Sequence, residues 1–137
     1  MKRKLLFLLI LTTAVISLAA QTDVEEAPKN QAALKRPRAF SRDLEESPAH
    51  VDDYKLILIV RGPFAERNWE HTADELVNYL TEPRESESEA RARFYLGQCY
   101  YFLGEPWYGM FEFFAIHDRF PCETSEWIKA SVDMMND

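Results

Sequence analysis

Residues that carry reactive chemistry are scarce in this chain. Three histidines, two cysteines and four glycines are scattered over 137 residues, and each scarcity closes a class of function. His50, His71 and His117 stand at no metal-ligand spacing from one another. His71 with Asp74 and Glu75 comes nearest to a ligand set, and it reads as the polar side of a helix. Gly62, Gly97, Gly104 and Gly109 are isolated turn and packing positions, so no glycine-rich loop exists to cradle a phosphate. Cys99 and Cys122 form no Cys-x-x-Cys pair, which removes the redox-active motif. No motif sets a Ser or Cys beside a positioned His. The expectation is a chain without catalysis, cofactor or metal. Positive charge is also in deficit: 16 Lys and Arg face 23 Asp and Glu, a formal net charge of -7. Setting aside the first twenty residues, which hold Lys2, Arg3 and Lys4 and no acid, takes it to -10. Such a chain repels phosphate and is a poor non-specific nucleic-acid binder.

A long apolar run occurs at the N-terminus, from Leu5 to Leu18, broken by Thr12, Thr13 and Ser17. It follows a basic start, falls short of the roughly 20 apolar residues that span a bilayer, and ends in small residues through Ala19-Ala20 before Gln21-Thr22-Asp23. That order is the order of a secretory signal peptide over residues 1–20, with cleavage expected after Ala19 or Ala20. No cysteine sits near the cleavage point, so a bacterial lipoprotein anchor is not expected. The mature chain is expected to be exported, to the periplasm first of all, with no stable membrane span. In an oxidising compartment Cys99 and Cys122 have two open readings, a structural disulfide or one helix thiol and one connector thiol.

Three zones follow. Residues 21–50 are polar and hold Pro28, Pro37 and Pro48, the basic cluster Lys35-Arg36-Pro37-Arg38, and acidic patches at Glu25-Glu26 and Asp43–Glu46. Lacking a sustained apolar period, they read as a flexible lead-in, with Ala32-Ala33-Leu34 able to form a short turn. The basic cluster offers a contact for anionic lipid or an acidic partner, or is a solvated patch. In the second zone, Leu56–Val60 is a continuous apolar run that periodicity leaves open between strand and helix, and Gly62-Pro63 ends it. Asn68 is the expected N-cap of a helix over Trp69–Leu80, with Trp69, Ala73, Leu76, Val77 and Leu80 on one face. The third zone holds eleven of the eighteen aromatics, between Phe94 and Phe120. Ser86–Glu89 opens a helix with acid in its first turn, and that helix stops at Gly104. Pro106 opens a second helix, which Pro121 closes. A third starts near Thr124 or Ser125 and carries Trp127, Ile128, Val132 and Met135. Turns this short force neighbouring helices to pack antiparallel.

The spacing Leu96-Gly97-x-x-Tyr100, Gly104, Gly109, Phe113, Ile116 and Pro121 resembles the tetratricopeptide repeat. Gly109 stands where that pattern places Ala, and Arg93 where it places its opening Trp; Trp127 falls at the next repeat's opening aromatic. Trp69, Ala73, Leu76, Tyr79 and Pro83 resemble the second helix of a preceding repeat whose partner would be Asp52–Arg61. The stretch Glu89–Tyr101 is most similar to exported repeat proteins of the bacterial envelope, among them the outer-membrane assembly lipoproteins and the Tol-Pal-associated members. The resemblance implies an all-α fold, a short α-solenoid of antiparallel helix-turn-helix repeats. It spans 51–137, with the best repeat at 88–121 and a capping helix at 124–135.

It also implies a concave face lined by Arg91, Phe94, Gln98 and Tyr101. An aromatic pair flanked by Arg and Gln suits a peptide, although Phe94 and Tyr101 read equally as core. Phe94 and Gln98 stand where the carboxylate-clamp version of the repeat has Lys and Asn, so chaperone-tail recognition is not expected. The functional expectation is a non-catalytic scaffold or adaptor for a protein or peptide partner in envelope assembly or maintenance. Because solenoids generally need three or more repeats, self-association through Trp127, Ile128, Met134 and Met135 is a further expectation. The alternative is a secreted helical module whose basic lead-in binds membrane or envelope polymer.

Overall fold

A computed structural model describes residues 34–44 and 51–137 of the chain. The expected signal peptide and most of the expected lead-in lie outside the described residues. The described residues are all-helical: α1 (Ser41–Leu44), α2 (Val51–Ile59), α3 (Trp69–Leu80), α4 (Ser86–Phe102), α5 (Pro106–Ile116) and α6 (Pro121–Asn136), with a π-helical turn at Val60–Phe64. None of these helices is long and apolar enough to cross a membrane.

The ambiguous apolar run is helix. Asp52 and Asp53 sit in the first turn of α2, where the helix dipole favours acid. Leu56, Ile57 and Val60 are buried while Leu58 is exposed, the one-sided burial of a packed helix. Pro63 has no N–H to continue the ladder, and Gly62 leaves the helical region at ψ -112°. The chain responds with a wider turn, the Ala65 N–H donating to the Val60 carbonyl at 3.1 Å. Asn68 then caps α3, its side chain accepting from the His71 N–H at 3.4 Å. The buried face of α3 is Thr72, Ala73, Leu76 and Tyr79; Val77, expected on that face, is exposed.

Helices α3, α4, α5 and α6 pack each on the next. The end of α4 is a Schellman cap. Gly104 at φ 78° turns the chain, Glu105 N–H reaches the Tyr100 carbonyl at 2.8 Å, and Gly104 N–H reaches that of Tyr101 at 3.1 Å. At the α4–α5 crossing a Cβ on Gly109 would stand 2.8 Å from the Gly97 carbonyl oxygen. Glycine is therefore required where the repeat pattern places Ala. Trp127 is fully buried between Tyr101, Phe102 and Phe113, with ring centroids at 5.3, 5.7 and 5.8 Å.

Three expectations are corrected. Pro121 occupies the first turn of α6 and so opens that helix three residues before the expected start. Trp127 fills the core, which removes it from any assembly surface. The helical unit also does not begin at residue 51. The compact unit is Ala32–Asp137, and residues 34–44 form an arm laid along α4 because Leu34, Ala39 and Phe40 complete the apolar core. Cys99 is buried in α4, Cys122 is exposed in the first turn of α6 and not in a connector, and both are free thiols.

Candidate interaction surfaces

Helix α4 is covered on nearly every side, and one of its stripes is built for hydrogen bonding. Arg91, Tyr95, Gln98 and Tyr101 follow one another at helical spacing. Each of them holds the arm. The Tyr101 hydroxyl accepts from the Leu34 N–H at 3.0 Å. The Gln98 amide binds both sides of one residue, accepting from the Arg38 N–H at 2.7 Å and donating to the Arg38 carbonyl at 2.9 Å. The Tyr95 hydroxyl accepts from the Phe40 N–H at 2.9 Å and donates to the Asp43 carboxylate at 2.6 Å. Arg91 pairs with Asp43 and, through its other nitrogen, with Asp53 of α2. Rising arm numbers meet falling α4 numbers, so the arm runs antiparallel to the helix.

All four sequence-identified residues converge here, and none is open to solvent. Arg91 is 1% exposed, Phe94 2%, Gln98 0% and Tyr101 2%. The chain's own arm covers the stripe. Sequence reading missed Tyr95, Phe40, Asp43 and Asp53. Tyr95 lay within reach, because its four-residue step from Arg91 puts it on the same stripe as Gln98. The other three lie 38 to 55 residues from their α4 partners, and nothing local announces them.

The arm is anchored at three places. The Phe40 ring inserts between Phe94 and Phe120, with centroids at 5.0 and 4.8 Å. Asp43 is fully buried against Arg91. Arg38 reaches Glu126 of α6 at 2.6 Å on the solvent side, where an ion pair is worth little. Burial, and then the Arg42 charge, pull the Arg91 guanidinium down to about 10, so it stays cationic between its two carboxylates at neutral pH. Lys35 and Arg36 of the basic cluster are exposed.

Other features among the described residues are open. A cleft of about 440 Å³ between α2 and α3 is lined by residues that include Lys55, His71, Glu75 and Arg84. Arg84 stacks over the Tyr79 ring at 4.2 Å and pairs with Asp52 at 3.1 Å. Another feature is the outer face of α5, where Trp107, Tyr108, Phe111 and Phe114 are all more than half exposed. Among the described residues no three His, Cys, Asp or Glu side chains form a group that could hold a metal ion.

The fold and these surfaces define a class, an all-α protein of sequentially packed helices with a peptide-like arm along its central helix. Comparison with family models, with curated proteins and with solved structures finds no match to the chain.

Proposed function

We propose that the chain is a non-catalytic, exported adaptor of tetratricopeptide-like architecture that holds an extended peptide along α4. The observation that supports this is the arm. Gln98, Tyr95 and Tyr101 bind the main chain of residues 34, 38 and 40 and make no use of their side chains. Main-chain recognition accepts many sequences, while the Phe94–Phe120 slot and Arg91 add a preference for an aromatic followed three residues later by a carboxylate. In this reading the arm is a resident ligand, and a partner segment of the same chemistry exchanges with it. Export rests on the N-terminal signal pattern, and the envelope is the expected compartment.

The test is fluorescence anisotropy with a labelled synthetic peptide of residues 34–44 and the full chain carrying Phe40→Ala and Asp43→Asn. That variant is expected to bind the peptide at least ~10-fold more tightly than wild type, a loss of about 1.4 kcal/mol of competition. An Asp→Asn change in the peptide should weaken it. A variant that keeps its helical circular dichroism and yet binds no peptide would overturn the reading.

A further inference from the structure

Helix α5 buries Gly109, Phe113 and Ile116 against its neighbours and turns Trp107, Tyr108, Phe111 and Phe114 outward, 59, 61, 63 and 55% exposed. We infer that this face pairs α5 with the α5 of a second copy of the chain, antiparallel about a two-fold axis through Phe111. Three observations choose that occupant.

The first is register. Trp107 lies four residues before Phe111 and Ala115 four after, while Tyr108 lies three before and Phe114 three after. A two-fold axis at Phe111 therefore sets the largest side chain of one copy on the smallest of the other, and ring on ring at the flanking positions. This is the self-complementarity an isologous interface requires. The second is charge. The one charged residue of α5, Glu112, is tied to Arg93 of α4 at 3.0 Å, away from the stripe. The helix has no Lys or Arg, the cations that an interfacial membrane helix carries on its polar side, and the chain's net charge of -7 opposes an anionic lipid surface. The third is area. Aromatic side chains of roughly 150–250 Å² each, exposed to this degree, present on the order of 500 Å² per copy. A two-fold pair covers on the order of 1,000 Å², the floor for a specific interface. The contact lies on α5 and leaves the arm and the α4 stripe untouched, so it stands or falls separately from peptide exchange.

The experiment uses the full chain with its own N-terminal segment. In a Cys122→Ser background, Phe111→Cys is expected to form a covalent dimer under mild oxidation, whereas Val132→Cys on α6 is not. Sedimentation equilibrium of the otherwise wild-type chain should show a monomer–dimer equilibrium that Phe111→Glu shifts at least ~10-fold toward monomer, with helicity unchanged. A chain that stays monomeric to on the order of 100 µM overturns the inference. So does equal cross-linking at both positions, or a monomer that binds phosphatidylcholine vesicles through Phe111.

Discussion

Arg91 reads in isolation as a surface cation on a helix rich in Arg and Glu, yet it is among the most buried side chains of the molecule. Its charge is tolerated because Asp43 and Asp53 meet it from the arm and from α2, and Ser88 donates to Asp53 at 3.1 Å. Removing Asp43 leaves Arg91 with Asp53 alone and strips two buried donors, an Arg91 guanidinium nitrogen and the Tyr95 hydroxyl, of their acceptor, at a cost of about 3 kcal/mol. Asp43→Ala is therefore expected to lower the unfolding free energy by about that much in urea titration. Glu87→Ala removes the exposed partner of Arg42 and should change it by less than about 0.5 kcal/mol. Equal effects from the two variants would show that Arg91 is solvated in the folded chain. The residues that hold the arm illustrate what local sequence reveals. The types and spacing of Arg91, Gln98 and Tyr101 were legible as a recognition stripe, but their occupant was not, because Asp43 and Phe40 come from a segment whose polar composition resembles a linker.

At the scale of elements, helix ends and crossings follow local chemistry. Asn68, Pro106 and Gly104 mark ends where the structure has them. The α4–α5 crossing is set by two glycines, and there the demand is steric. A methyl on Gly109 would meet backbone at 2.8 Å, and one on Gly97 would meet the Phe113 ring at 2.7 Å. Backbone cannot move aside as a flexible side chain can, so Gly109→Ala is expected to destabilise by about 1–3 kcal/mol through overpacking. The effect should appear in thermal unfolding with a helical signal at 25 °C close to that of wild type. A neutral or stabilising Gly109→Ala would mean the helices can separate at no cost. The run Leu56–Val60 shows the opposite situation. Five consecutive apolar residues carry no period, and only packing of α2 against α3, the π-helical turn and α4 decides that they are helical.

For the whole molecule, the core is aromatic and several of its ionisable groups are held neutral. Burial pushes the Cys99 thiol up to about 12. Burial first, and then the Asp52 charge, push the Tyr79 phenol up to about 12. Burial raises Tyr95 as well. A raised folded-state value means that the proton is bound more tightly in the folded chain. The associated stability is complete below the ordinary values of 9.0 for Cys and 10.0 for Tyr and is lost as pH climbs toward about 12. Loss of helical circular dichroism and growth of tyrosinate absorbance from these side chains should therefore coincide in an alkaline titration. Ionisation of every tyrosine ahead of unfolding would sink that account. Asp52 works in the other direction. The Glu85 N–H, and then Arg84, hold its carboxyl below 3.8, so what it contributes is present above that value and lost only as pH falls through the lowered one.

The sequence by itself determined the helical class of the third zone, both ends of α3 and α4 and the start of α5, whose end falls at Ile116 and not at the expected Pro121, and the shared stripe of Arg91, Gln98 and Tyr101 on α4. All of these rest on interactions between residues a few positions apart, which composition and spacing encode directly. Only the tertiary structure decided that the Leu56 run is helix, that Trp127 is core, and that the expected binding face is covered by residues 34–44. It also left the outer face of α5 as the exposed aromatic surface. Those outcomes depend on contacts between segments tens of residues apart, where each partner is unremarkable alone and burial is settled by whichever surface the rest of the chain leaves uncovered.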